Sequence, residues 1–317
     1  MTRILLTGAD GFIGSRLSAF LDVQGHAVNR LVRRPTQGMS GRGCIVADVT
    51  TFDCWEDALK GVDCVLHLAA RAHVLNDPAA APLEAFRRVN VEGTRRLAEA
   101  ARHSGVRRFV FLSSIGVNGT FTTGRPFTEA DQASPVEPYA ISKWEGEQML
   151  AQVASGNGFE LVIVRPPLVY GPGVKGNLRR LLSLASSGAP LPLGSVSNRR
   201  SFVGLANLCD FLAKCVEHPA AAGQTFVVAD KDRVSTPQFV KLLAHGMDRP
   251  ARIFPCPPAA LEFLAGLVGK GEEVRRLTGS LEVDSSKAES LLGWKPRVSL
   301  EAGLSEMAHW FLKSRIL

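Results

Sequence analysis

Closely spaced cysteine pairs are missing from this chain of 317 residues. Cys44, Cys54, Cys64, Cys209, Cys215 and Cys256 never form C-x-x-C. That excludes the usual zinc-ligand spacings and a secreted disulfide framework, and no metal is expected. Buried thiols in a reducing cytoplasm are the expectation. Long apolar runs are also missing. The stretch Ala259 to Val268 is broken by Glu262 and is too short to span a bilayer. It reads as a short packed helix, with a membrane-surface contact as the lesser alternative. The start reaches Gly8 after a few apolar residues, unlike a signal peptide. Repeats, low-complexity tracts, a basic tail and zinc-finger spacing do not occur.

What is present points to a packed globular protein. Apolar residues make up 45% and charged residues 21%. The net charge of +7 and pI near 9.3 suit a polyanion. Nucleic acid is one candidate; a phosphorylated small molecule with its cofactor is the other. The arginines fall in scattered pairs such as Arg33-Arg34, Arg107-Arg108 and Arg199-Arg200, which argues against nucleic acid.

Strand and helix patterns alternate from the first residues. Ile4-Leu5-Leu6, Ala27 to Val32, Cys44 to Ala47, Cys64 to Leu68, Arg108 to Ser113 and Leu161 to Val164 read as strands. Phe12 to Leu21, Val89 to Arg102 and Tyr139 to Ala154 read as helices. Continuous apolar strands between helices predict an α/β fold, a doubly wound parallel sheet of Rossmann type covered on both faces. After Arg165 the pattern is broken by Pro166-Pro167, Gly171-Pro172-Gly173 and Pro190 to Gly194. We therefore expect a dinucleotide-binding domain over 1–165. Residues 166–317 are expected to form mostly a smaller substrate lobe, with a strand near 225–229 returning to the main sheet.

Gly8, Gly11 and Gly14 stand between the first strand and the first helix. Glycines there permit a tight turn, close backbone approach to a pyrophosphate, and packing of helix on strand. The helix N-terminus then offers N–H groups to the anion. The second strand ends in Arg33-Arg34 without an acid. Arg33 suits a 2′-phosphate, or forms a solvated basic turn; the first reading tilts NAD(P)(H) towards NADP. Asp48 suits the adenine amino group or a turn cap.

Tyr139-Ala-Ile-Ser-Lys143 sets phenol and ammonium on one helix face. A nearby ammonium is expected to lower the phenol pKa and let Tyr139 exchange a proton with an alcohol or ketone. Ser114, closing Phe-Leu-Ser-Ser, is placed to hold the reacting oxygen.

With these motifs the chain resembles the extended short-chain dehydrogenase/reductase family, the branch of nucleotide-sugar epimerases, dehydratases and 4-ketoreductases. The carrying segments are Thr7 to Gly14, His67-Leu-Ala-Ala70, Asn90-Val-Glu-Gly-Thr94, Ser113-Ser114, Tyr139 to Lys143, Arg165 to Pro172 and Leu292 to Pro296. The resemblance implies cofactor contacts from Gly8, Asp10, Gly11, Phe12, Ile13 and Gly14, then from Arg33, Asp48, Val49 and Leu68. It extends them to Ala69, Ala70, Arg71, Asn90, Ser113, Tyr139, Lys143 and Pro166, with Asn90 supporting the site and Pro166 beside the nicotinamide. Ser114, Asn177 and Arg200 are the implied contacts to a nucleoside-diphosphate sugar. A UDP-sugar and a homodimer through the helices near Val89 to Arg102 and Tyr139 to Ala154 are also implied.

Two positions depart from the UDP-galactose epimerase pattern: Leu168 replaces an asparagine and Gly204 a histidine. Segments around Ser113 to Gly119 and Pro166 to Asn177 are similar to polysaccharide-cluster enzymes. The first reading is therefore a 4-ketoreductase of a UDP-4-keto-6-deoxy-N-acetylhexosamine in surface polysaccharide synthesis. A UDP-sugar 4-epimerase that retains NAD is the alternative. A dehydratase fits less well, because Ile115 and Gly116 follow Ser114 where that chemistry commonly has acids. A non-catalytic dinucleotide sensor on the same fold is the third reading.

Overall fold

Each early apolar run becomes a strand because both of its faces have a layer to meet. The computed structural model describes residues 1–34, 43–72, 81–156, 158–267 and 269–315. Its first half alternates β1 (Arg3–Thr7), α1 (Phe12–Val23), β2 (Ala27–Val32), β3 (Cys44–Val46), α2 (Trp55–Leu59), β4 (Cys64–His67) and α3 (Pro82–Arg87). Then follow α4 (Thr94–His103), β5 (Arg108–Leu112), α5 (Pro138–Val153) and β6 (Glu160–Arg165). The second half holds β7 (Leu168–Tyr170), α6 (Gly176–Ser187), β8 (Arg200–Gly204), α7 (Leu205–Glu217), β9 (Thr225–Val227) and β10 (Arg233–Val234). It ends with α8 (Thr236–His245), α9 (Pro258–Leu267), α10 (Gly271–Thr278), α11 (Ser286–Leu292) and α12 (Leu300–Lys313).

The main sheet has the order β3-β2-β1-β4-β5-β6-β9, and every pairing in it is parallel. Alternation within β1 shows how it is buried. Ile4 and Leu6 pack with Leu17, Leu21 and Leu208 on one face. Leu5 packs with Leu97, Ala101 and Leu150 on the other. This is the two-sided burial expected of a doubly wound parallel sheet. β9, from the second half of the chain, joins the sheet at its edge through Ile163↔Thr225 and its neighbours. A second sheet, β10-β8-β7, packs with α6, α8 and α12 around Tyr170, Leu178, Phe239 and Leu304.

The expected helix from Val89 to Arg102 differs from the structure at its start. Arg88–Gly93 is a π-helical turn, and α4 begins only at Thr94. The wider turn carries Asn90 inward, where it is fully buried and bonded to Ser142 and Arg71. The stretch beginning at Ala259 is a helix, but none of α9 is buried and Phe263, Leu264 and Leu267 are exposed. Val268 lies outside the described residues. Among the described residues no helix is long and apolar enough to cross a membrane, and no cluster of three or more metal-ligating side chains occurs.

Candidate active site

The strand order reverses direction between β1 and β4, and the crevice at their carboxyl ends is where an open α/β sheet takes a ligand. Gly8 leaves β1 with φ +68°, and a Cβ there would stand 2.9 Å from the Ala69 nitrogen. At Gly14 a Cβ would lie 2.0 Å from the Gly8 carbonyl oxygen. Turn, helix and the loop after β4 therefore meet backbone to backbone. Gly11 starts α1 with no side-chain cap among the described residues. Its first N–H groups are left for an anion, which is the donor set a dinucleotide pyrophosphate needs.

Buried polar contacts set the loop after β4. Thr7 Oγ1 accepts from the Ala69 N–H at 3.1 Å and hydrogen-bonds His67 Nδ1 at 2.7 Å. His67 Nε2 meets Thr94 Oγ1 at 2.9 Å. Burial pushes the imidazole down to about 3, so it is neutral. Asn90 Oδ1 accepts from the Arg71 N–H at 2.8 Å, while its Nδ2 donates to the Arg71 carbonyl and to Ser142 Oγ at 3.1 and 2.9 Å.

Ser114 and Tyr139 lie on the wall of one cleft with Phe12, Ile13, Gly116 and Pro166. Ser114 Oγ accepts from the Gly116 N–H at 3.1 Å. Tyr139 stands in the first turn of α5 and packs edge-on to Phe86. Lys143 is buried one turn on, with Nζ donating to the Leu112 carbonyl at 2.8 Å and lying 4.3 Å from the centre of the Phe111 ring. The electrostatics depart from expectation. In the chain alone burial pushes the phenol up to about 12. Burial pushes the ammonium down to about 7, opposed by Glu147. Desolvation by the protein thus outweighs the help the phenol was expected to draw from the ammonium.

The other sequence candidates divide. Arg200 lines the cleft, and its Nη1 donates to the carbonyls of Arg276 and Gly279. Asn177 does not line it: α6 turns that side chain outward, where its Oδ1 accepts from Arg180. Ser113 borders the cleft, but its hydroxyl donates to Glu147. Asp48 Oδ1 accepts from the Thr50 N–H and hydroxyl at 2.8 and 2.7 Å, which hold its carboxyl below the usual range. The turn-cap alternative is thus realised. Arg33 is exposed, Val49 is buried, and Asp10, Leu68 and Ala70 are half-buried.

Three residues escaped the sequence reading. Lys175, Arg276 and Glu137 all line the cleft, and Arg276 pairs with Glu137 at 2.7 Å. The Arg275-Arg276 doublet was the available signal, but nothing local ties it to Arg200. The departures from the epimerase pattern also find a place. Leu168 lines the cleft and is 41% exposed. A side chain at position 204 would crowd Tyr170, since a Cβ would stand 3.1 Å from its hydroxyl. That hydroxyl donates to Asp230, and Asp230 also accepts from the Gly204 N–H.

Comparison with known proteins agrees with this architecture. Residues 4–229 match the NAD dependent epimerase/dehydratase family. The chain is 43% identical over 314 residues to a UDP-glucose 4-epimerase of Vibrio cholerae, covering 98% of this chain and 96% of that one. It is 26% identical over 318 residues to an N-acetyl-alpha-D-glucosaminyl-diphospho-ditrans,octacis-undecaprenol 4-epimerase of Escherichia coli O157:H7, covering 95% of this chain and 93% of that one. Among solved structures, MoeE5 in complex with UDP-glucose and NAD superposes with a TM-score of 0.77 at 26% identity over 99% of both chains. Glycine turn, strand order, Ser-Tyr-Lys constellation and family match coincide along one chain, which belongs to the NAD-dependent epimerase/dehydratase family.

Proposed function

We propose that this protein is an NAD(P)-dependent oxidoreductase that acts at C4 of a UDP-sugar, with 4-epimerisation as its turnover. The carrying observation is that Ser114 and Tyr139 share one cleft wall, while Lys175, Arg200 and Arg276 line the same cleft. The first pair suits a hydroxyl undergoing oxidation; the three cations suit a diphosphate. The likeness to a UDP-glucose 4-epimerase extends over nearly the whole chain and moves the epimerase reading level with, or ahead of, the ketoreductase. The sugar nucleotide is assigned mainly to the lobe of residues 166–317, and the dinucleotide to 1–165.

A nicotinamide dinucleotide, when bound, supplies the hydride chemistry and a positive ring that favours the phenolate. Gly8, Gly11 and Gly14 with the start of α1 would hold its pyrophosphate, and Leu68 to Arg71, Asn90 and Pro166 would border it. Tyr139 takes the proton from the C4 hydroxyl and returns it after the sugar has turned in the cleft. Ser114 holds the same oxygen through both steps. Lys143, one turn along the same helix and fixed by the Leu112 carbonyl, supplies a positive charge that favours the phenolate.

The test is NMR of UDP-glucose or UDP-N-acetylglucosamine incubated with the purified protein. Appearance of the C4 epimer, with bound nicotinamide surviving dialysis, supports the proposal. No epimer from either nucleotide, with NADPH oxidised only when a UDP-4-keto-6-deoxy sugar is added, replaces it by the 4-ketoreductase. Exposed Arg33 and Arg34 at the end of β2 favour that second reading, because they suit a 2′-phosphate and an exchanging NADPH. A homodimer through α4 and α5 goes with either reading and is checked by sedimentation.

A further inference from the structure

A buried ion pair beneath the cleft takes no part in the proton relay described above. Glu147 and Arg165 are 2% and 5% exposed. Arg165 Nε and Nη2 donate to the two carboxylate oxygens at 2.9 and 2.5 Å. Ser113 Oγ adds a third bond to the same carboxylate at 2.5 Å. Arg165 Nη1 donates to Asn118 Oδ1 at 3.0 Å, and Asn118 Nδ2 to the Thr128 carbonyl at 2.8 Å.

Each member of this network borders a different part of the site. Glu147 lies on α5, one turn beyond Lys143. Ser113 immediately precedes Ser114, and Arg165 closes β6 immediately before Pro166. Asn118 lies in the segment that carries Gly116 and Gly119 along the cleft. The forked guanidinium fits a carboxylate in one plane, so the pair fixes an orientation as well as a distance. Stability is a weak reason for such a pair. Two buried charges lose their hydration, and a well-packed apolar pair in their place is often neutral or stabilising.

We propose that Glu147, clamped by Arg165, is a positioning residue. It locks the helix bearing Tyr139 and Lys143 onto the strands that present Ser114 and Pro166, and keeps a negative charge one turn from the buried ammonium. The inference rests on reading Tyr139 and Lys143 as the proton relay. Among the described residues few titratable groups surround Lys143. Tyr139 and Glu147 share its helix, His67 approaches from β4 as a neutral ring, and Arg165 of β6 acts through Glu147. Glu147 is the acid that opposes the effect of burial on Lys143.

Glu147→Gln alone strands a buried guanidinium and endangers the fold, so the decisive variant is Glu147→Met with Arg165→Met. It is read by thermal melting, by kcat and KM with the UDP-sugar, and by NMR titration of Lys143 in protein labelled at lysine Cε. The Lys143 resonance is assigned by its loss in Lys143→Arg. We expect a folded protein whose KM is within a few-fold of wild type and whose kcat falls on the order of tenfold to a hundredfold. The Lys143 titration midpoint is expected to fall below the wild-type value. A folded double variant with an unchanged midpoint overturns the proposal, as does one with unchanged kcat. A double variant that does not fold assigns the pair to stability and overturns it as well. If the wild type turns over no nucleotide sugar, the functional reading fails, while the Lys143 midpoint still decides the role of Glu147.

Discussion

Gly14→Ala puts the dinucleotide site to a quantitative test. The added Cβ would sit 2.0 Å from the Gly8 carbonyl oxygen, 2.8 Å from its carbon and 2.9 Å from the Ala9 Cα. Non-bonded heavy atoms settle near ~3.5–4.0 Å, so the start of α1 must move off the turn by more than an ångström. Every atom it meets is backbone, and no side chain can swing aside. Overpacking of this kind costs about 1–3 kcal/mol. At roughly 2–4 °C per kcal/mol, the range for domains of about 150–250 residues, melting should fall by about 2–12 °C at most. The same displacement draws the uncapped N–H groups of α1 from the pyrophosphate, so NAD(H) affinity should fall about tenfold or more, worth about 1.4 kcal/mol. Gly25→Ala is the control. Gly25 has φ +81° with nothing within 4 Å of an added Cβ. That variant carries only the backbone cost of about 1–2 kcal/mol and should bind the dinucleotide normally. Calorimetric titration with NADH and NADPH, beside thermal melts, separates the two effects. Native dinucleotide affinity in Gly14→Ala refutes the assignment of this turn to the pyrophosphate.

Tyr139→Phe should abolish turnover while dinucleotide affinity stays within a few-fold; stopped assays with UDP-sugar and a binding titration check both, and persistent turnover removes Tyr139 as the proton donor. Arg33→Asp should move preference from NADPH towards NADH, read as the ratio of the two dissociation constants; an unchanged ratio removes Arg33 from cofactor choice. His67 gives a pH prediction. Its folded value, about 3, lies below the ordinary histidine value of 6.5, so the unfolded chain takes up a proton first as pH falls. Stability is lost from pH 6.5 downwards, by about 2 kcal/mol at pH 5, and the loss levels off near pH 3. His67→Gln should flatten that part of the urea-unfolding profile, and an equally steep profile in the variant would contradict the buried neutral imidazole.

The central strands of the sheet were legible because β1, β4, β5 and β6 are largely apolar runs, and such runs carry their two-sided burial in the sequence itself. The glycine turn was legible for a related reason. The φ of +68° at position 8 favours glycine, and an added Cβ there or at position 14 would run into backbone, so the residue type records the geometry. Charge effects were not legible. Tyr139 and Lys143 could be placed on one helix face by spacing, but the depth that raises one pKa and lowers the other is set by Phe111, Leu112 and Phe86, which arrive from other elements. The same holds for Arg276. It reaches the cleft through the packing of α10 against α9, and its partner Glu137 lies at the start of α5. Asn177 was singled out by its neighbours in the sequence; in the structure it is exposed near the start of α6 and accepts from Arg180.

Epimerase and reductase place different demands on the border of the dinucleotide crevice. A reductase must exchange its cofactor at every turnover, whereas an epimerase returns the hydride to the same sugar and gains from holding the cofactor. The loop of Leu68 to Arg71 is tied at both ends. Thr7 holds the Ala69 N–H, and Asn90 joins both polar backbone groups of Arg71 to Ser142 on α5. Opening this side would break four hydrogen bonds together, one buried and three part-buried, at a net of about 0.5–1.5 kcal/mol each. On the proposed reading we therefore expect slow exchange along this border, checked by the rate at which bound nicotinamide leaves on dialysis. The opposing consideration is the exposed Arg33 at the adenosine end, whose charge would favour NADPH but does nothing to restrain release of the nicotinamide. On the proposed reading the two features face opposite ends of the cofactor. A chain with both would hold its dinucleotide tightly whichever form it prefers, so retention, and not the identity of the second phosphate, is the property that separates the two reactions.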